Sequence, residues 1–219
     1  MSAHGPTPAS PTAGQPLGWQ ARKSASTRLQ IIEAALRCFV DVGYFRTTTG
    51  VIAGNAGLSR GAMLHHFPTR ADVVRAAVEH LHAKRLRAFR TAVENLPSGG
   101  NRLHGTLEAY WEQANHPMYA VFLELSVAAR TDPELAAILE PAEAAFEREL
   151  RRTAIELFPE WRDLGENFDL GFDLLVSVMD GCAVSFLKHR DRAPKRRVLR
   201  YLEARLDELT RPSGDPDKT

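Results

Sequence analysis

Apolar positions along the chain recur at steps of three and four rather than two. After Ser26, Leu29, Ile32, Leu36, Phe39 and Val40 keep that spacing until Gly43 ends it, which predicts an amphipathic helix from about residue 27. Thr47 or Thr48 can cap a short second helix running to about Asn55. In the turn that follows, Gly57 tolerates positive φ, Leu58 can enter a core, and Ser59 can cap a third short helix. Pro68 interrupts, Thr69 recaps, and a long helix is predicted from about Arg70 to Asn95, broken by Pro97, Gly99 and Gly100. Further helices are predicted at about 102–115, 117–130, 133–158, 166–190 and 195–210. Pro117, Pro133 and Pro194 lie near three of the starts, where a missing N–H costs little. No segment alternates with a period of two between turn residues, and no long repeat occurs. The predicted fold is all-α, about nine helices, with a three-helix module at 27–70 and a helical body at 71–211.

Residues 1–26 are rich in Pro, Gly, Ser, Thr and Ala without apolar periodicity, so a disordered arm is expected there, and a disordered tail at 212–219. Arg22 and Lys23 close the arm. It is either an unstructured leader or a basic strap lying along phosphates or in a minor groove. The hydrophobic share of 44% against 25% charged suits an ordinary soluble domain. No basic segment followed by an apolar run opens the chain, so a secretory signal is not expected. The longest apolar stretch, LLVSVMDGCAVSFL, is interrupted by Asp180 and reads as too short and too polar to span a bilayer. Cys38 and Cys182 each sit in a helical apolar pattern and are expected to be buried, reduced thiols of a cytoplasmic protein.

Charge changes the picture through its distribution. The net charge is only +1, but residues 22–70 carry seven Arg and Lys against Glu33 and Asp41, a net +5. Residues 1–21 have no charged side chain, which leaves −4 for 71–219. A basic module on a mildly acidic body points to a polyanion touched at one end.

Helix, short helix, glycine turn, short helix is the helix-turn-helix arrangement, whose last helix enters the major groove of DNA. Gly43-Tyr44, Thr48-Thr49, Ile52-Ala53, Ala56-Gly57-Leu58-Ser59, His66-Phe67 and Arg70 follow in order, within about Thr27 to Val74. In these residues and their spacing the chain resembles the TetR family of transcriptional regulators. The resemblance implies that Thr48 and Thr49 meet a phosphate at the start of the second helix. It implies that Ser59, Arg60, Gly61 and Ala62 face the groove, with Arg60 suited to guanine O6 and N7. Met63 and Phe67 would pack inward, His65 and His66 would lie along the groove or backbone, and Arg70 would clamp a phosphate. Leu64 stands where the family usually has tyrosine; a phosphate-reaching hydroxyl is lost and a thymine methyl contact becomes available. Gly50 and Gly54 lie inside the second helix, each costing about 1 kcal/mol relative to alanine.

Other chemistries fit less well. Adjacent helical residues point about 100° apart, so His65 and His66 cannot share a metal, and no Cys, Asp or Glu lies within five residues of them. GLSRG matches the G-x-S-x-G nucleophile elbow, but that motif needs a strand before the serine and a sheet around it. No metal site, cofactor or catalytic residue is expected.

In the body, Tyr110, Trp111, Met118, Tyr119, Phe122, Phe146 and Phe172 gather large side chains in the middle helices. Each alone suits a core; together they suit a pocket for a small apolar or aromatic effector, which the resemblance also implies. The helix containing LLVSVMDGCAVSFL is apolar nearly all round, which requires burial on more than one face. Phe172, Leu175, Met179 and Cys182 can serve its own core, while Ser177, Gly181 and Ser185 form a seam of small residues for close helix approach. Leu199, Leu202, Leu206 and Leu209 add a stripe on the last helix. Two such helices from each of two chains would make a four-helix interface in a homodimer. The expectation is a ligand-responsive regulator, a repressor released from a palindromic double-stranded DNA operator by its effector, with no membrane partner. The competing reading is a helical small-molecule-binding or scaffolding protein whose DNA module is vestigial; salt-dependent binding to its own promoter separates the two.

Overall fold

The computed structural model describes residues 18–97, 101–188 and 193–210. Among them are nine α-helices, one short 3-10 helix and no strand, so the all-α expectation holds. The order is α1 (Trp19–Val42), α2 (Thr49–Asn55), α3 (Arg60–His66), α4 (Arg70–Glu94), α5 (Arg102–Ala114), α6 (Pro117–Ala129) and α7 (Pro133–Leu157). The 3-10 turn Pro159–Leu164 then leads into α8 (Glu166–Lys188) and α9 (Ala193–Thr210).

The boundaries follow the sequence's local chemistry. Thr48 caps α2 by accepting from the Val51 N–H, and Ser59 caps α3 by accepting from the Ala62 N–H at 3.1 Å. Thr69 and Asp72 form a reciprocal capping box at the start of α4. Gly57 adopts φ 67° in the turn between α2 and α3. α2 keeps its helix despite two glycines because Ile52 and Ala53 are buried and its cap is made.

One boundary is corrected. α1 begins at Trp19, not after Ser26. Residues 19–26 are exposed and owe nothing to the core. They extend the helix from its docked half, because adding a residue to an existing helix costs far less than nucleating one. Lys23 lies 5.1 Å from the centre of the Trp19 ring one turn away, and Thr27 Oγ1 donates to the Lys23 carbonyl. The rest of the expected arm, residues 1–17, and the expected tail at 212–219 lie outside the described residues.

The hydrophobic interior has two parts. The first joins Ile31, Leu36, Phe39, Ile52, Met63 and Phe67 of the N-terminal module to Val74 of α4 and to Val121, Leu125 and Leu135 of α6 and α7. The module's core therefore runs on into the body without a break. The second lies farther from it, around Phe89, Leu107, Tyr110, Trp111, Leu150, Phe172, Met179 and Leu202. α4 passes through both. Its 25 residues span about 37 Å at 1.5 Å per residue, so one rigid element reaches from the three-helix module deep into the body.

Candidate DNA-binding surface and effector cavity

α3 is held from beneath and left open above. Met63 and Phe67 are fully buried, while Arg60, Gly61, Ala62 and His65 are exposed and Leu64 and His66 half-buried. α1 braces the element. The Arg28 guanidinium donates to the His66 carbonyl at 2.7 Å and lies over the Phe67 ring at 4.1 Å. Gln30 donates to the Ala56 carbonyl at 2.7 Å, and Arg37 to the Asn55 side chain at 3.1 Å, fixing α2 and the turn. The His65 and His66 rings meet edge to face with centres 5.5 Å apart. The outward face thus carries Ser59, Arg60, Gly61, Ala62 and His65 on one short helix, flanked by exposed Thr48 and half-buried Thr49 at the start of α2.

Arg70 makes internal bonds that its sequence position did not announce. Its Nε donates to the Thr47 carbonyl at 2.9 Å, and its two terminal nitrogens donate to the Tyr44 hydroxyl at 2.9 Å and the Tyr44 carbonyl at 2.7 Å. The guanidinium also lies 4.1 Å from the centre of the Tyr44 ring. Three internal acceptors and an aromatic face hold this guanidinium and pin α4 to the turn after α1, an internal role beside the expected phosphate clamp. Sequence reasoning identified the charge but had no means of seeing that a tyrosine 26 residues away would claim it.

Among the described residues, two cavities of the body adjoin each other. One, of about 150 Å³, is lined by Arg85, Tyr110, Tyr119, Phe122, Glu143, Phe146, Leu150, Val176 and Asp180 among others. The other, a slot of about 50 Å³, lies among Phe89, Leu107, Tyr110, Phe158, Trp161, Phe168, Phe172 and Leu206. Tyr110, Tyr119, Phe122, Phe146 and Phe172 thus stand in cavity walls. Trp111 and Met118 do not: Trp111 is buried against Phe186, with ring centres 6.4 Å apart, and Met118 packs on the core nearer the three-helix module. Neither is positioned to touch an occupant of these two cavities.

The electrostatics of the larger cavity were missed by an apolar reading. Burial pushes the carboxyls of Asp180 and Glu143 above their ordinary range and lowers Arg85. The Tyr110 phenol is pushed up to about 12, again by burial. Tyr119 donates its hydroxyl to Asp180, and Ser126 donates to Glu143 at 3.0 Å. Just beyond, burial lowers His82 to about 4 between the Phe122 and Phe146 rings.

Residues 31–77 match the family model described as bacterial regulatory proteins, tetR family. A helix-turn-helix transcriptional regulator of Mycobacterium tuberculosis is 29% identical over 170 residues, covering 75% of this chain and 85% of its own. The segment 31–77 is a TetR-family module. The family and these relatives are transcriptional regulators, not enzymes. The regulator CymR of Pseudomonas putida is 31% identical over 116 residues, 53% of this chain and 57% of its own. A solved transcriptional regulator from Pseudomonas aeruginosa PAO1 shares the fold with a TM-score of 0.65 at 21% identity, covering 85% of this chain and 91% of that one.

In this chain the last two helices divide their labour differently from the expectation. Leu199, Leu202 and Leu206 are buried within the chain and Leu209 is half-buried beside the apolar slot, so this stripe is core rather than dimer seam. Leucine periodicity shows that a face is covered, not by which chain. α8 keeps its open face. Ser177, Gly181 and Ser185 are exposed, next to Leu170 at 58% and Leu187 at 59% exposure, with Tyr201 of α9 at 67%. By length and mean hydropathy, 1.7, residues 166–187 would suffice to cross a membrane, more than the 14-residue stretch alone implied. Phe172, Met179, Cys182 and Ala183 commit its opposite face to the core of the regulator. Cys38 and Cys182 are both buried thiols.

Proposed function

We propose that this TetR-family regulator is a cytoplasmic, homodimeric repressor that leaves a palindromic operator when a small molecule fills its body. The observation that carries the reading is the double duty of α4. At its start Arg70 pins the turn after α1; about four and five turns later Arg85 and Phe89 line the two cavities. A ligand that displaces the middle of this helix displaces the module bearing α3, because the core between them is continuous. Arg60 reads a base edge, Ser59, Gly61, Ala62 and Leu64 contact the groove, and Thr48, Thr49, His65 and His66 lie along its walls. The partner chain covers the open face of α8 at Ser177, Gly181 and Ser185, and the two-fold axis sets two α3 helices about 34–36 Å apart.

Selection of binding sites from random double-stranded DNA with the full chain tests this. The reading predicts enrichment of an inverted repeat whose half-site centres are about one helical turn apart. Enrichment of no sequence, or binding with no salt dependence, overturns it in favour of a helical binding protein with an idle module.

A further inference from the structure

The chemistry of the larger cavity narrows the class of effector. The Arg85 guanidinium is clasped by the rings of Tyr119, Phe122 and Phe146 at 4.7, 4.9 and 4.6 Å. Those faces meet its positive charge but not its donors. Nε and one terminal nitrogen are buried and have no hydrogen-bond partner. Buried N–H groups in folded proteins are nearly always bonded, so a pair left bare beside a cavity marks a place for an acceptor that arrives from outside. The nearby acids do not fill it. Asp180 is engaged by the Tyr119 hydroxyl, Glu143 by Ser126, and burial pushes both toward the neutral acid.

The second observation is what adjoins the chamber. Tyr110, Leu150 and Val176 are walls of both cavities, so the chamber at Arg85 and the slot adjoin across these three side chains. That slot is apolar on every side apart from Thr106, Tyr110 and Asn167. A cationic donor at one end and an apolar sleeve at the other fit a molecule with an anionic head and an apolar body.

Resting on the reading of this body as effector-binding, we propose that the effector is an amphiphilic carboxylate. Its carboxylate accepts from the bare N–H groups of Arg85, and its chain or ring runs past Leu150 and Val176 into the slot. Arg85 then selects for head-group charge, and the slot for the apolar remainder.

Calorimetric titration of the full chain tests this with decanoate and 4-phenylbutanoate, each against the alcohol of the same skeleton, and with decylamine. At least one carboxylate is expected to bind about tenfold or more tighter than its alcohol, which corresponds to about 1.4 kcal/mol. Arg85→Met should abolish that preference while keeping the alcohol's affinity, and Arg85→Lys should retain part of it. The melting temperature of unliganded Arg85→Met should rise, since removing buried N–H donors that lack acceptors relieves the fold; a purely structural arginine would lower it. Equal affinity of acid and alcohol in the wild type overturns the carboxylate anchor and leaves the effector cavity standing. Preference for decylamine overturns it in favour of Asp180 and Glu143 as a cation site. Binding of none of the five overturns the anchor and the effector reading together.

Discussion

The backbone N–H of Tyr44 donates to Glu124 Oε1 on α6 at 2.8 Å, tying the turn after α1 directly to the body. The Tyr44 hydroxyl donates to Asp132, the N-cap of α7, at 3.1 Å and accepts from Arg70 on α4. One tyrosine thus joins the DNA-binding module to three body helices. α6 also carries Tyr119 and Phe122 into the larger cavity, so module and cavity share that helix as well as α4.

Gly43 makes the approach possible. It holds φ 83° and ψ 165°, a region almost restricted to glycine, and a Cβ there would stand 2.9 Å from Glu124 Oε1. Gly43→Ala should lower stability by about 1–3 kcal/mol in thermal or denaturant melts. A loss within error of zero would mean that this joint is not held as described.

Arg70→Ala should cost about 2 kcal/mol of stability, because it removes three charge-assisted hydrogen bonds and a cation–ring contact from a partly exposed site. Arg70→Lys should recover little, since an ammonium cannot span the same three acceptors. An unchanged melting temperature together with a flatter salt dependence of DNA binding would leave the phosphate clamp as its role instead.

His82 predicts an acid-side loss of stability. Burial holds it at about 4, against an ordinary value of 6.5, so the fold keeps it neutral where the unfolded chain takes up a proton. Its contribution is complete above pH 6.5 and declines as pH falls to about 4, by about 3 kcal/mol in total. His82→Leu should remove that part of the slope when stability is measured across this window. Identical slopes in both proteins would show that the ring protonates freely in the fold.

Gly181 separates the chain's own packing from assembly. A Cβ at this position meets nothing within 4 Å, so Gly181→Leu leaves the single chain's packing intact. Across a close helix pair it would overpack. Sedimentation at micromolar concentration should show a dimer in the wild type and weakened association in the variant. A wild-type monomer would leave palindromic binding without a basis.

The N-terminal module was legible because its signals are local. Thr48, Ser59 and Thr69 cap helices within three residues of themselves, and Gly57 sets its own turn. What failed depended on distant partners. The stripe at Leu199, Leu202 and Leu206 announces a buried face without naming what buries it. Arg70 shows its charge but not Tyr44. Arg85 did leave a trace: it falls in register with Val78, His82, Phe89 and Val93 on the buried face of α4. A pattern that counts only apolar positions passes over a charge in that register, and with it the chemistry of the cavity.

DNA binding by Arg60→Ala tests the central claim most directly. Arg60 is exposed at the first residue of α3, where its loss removes a base contact without disturbing the buried Met63 and Phe67. Against a selected operator at fixed salt, the variant should lose about 1–3 kcal/mol of affinity and discriminate less between the operator and its point variants. Wild-type affinity and wild-type base preference in Arg60→Ala would contradict the assignment of α3 as the element that reads DNA.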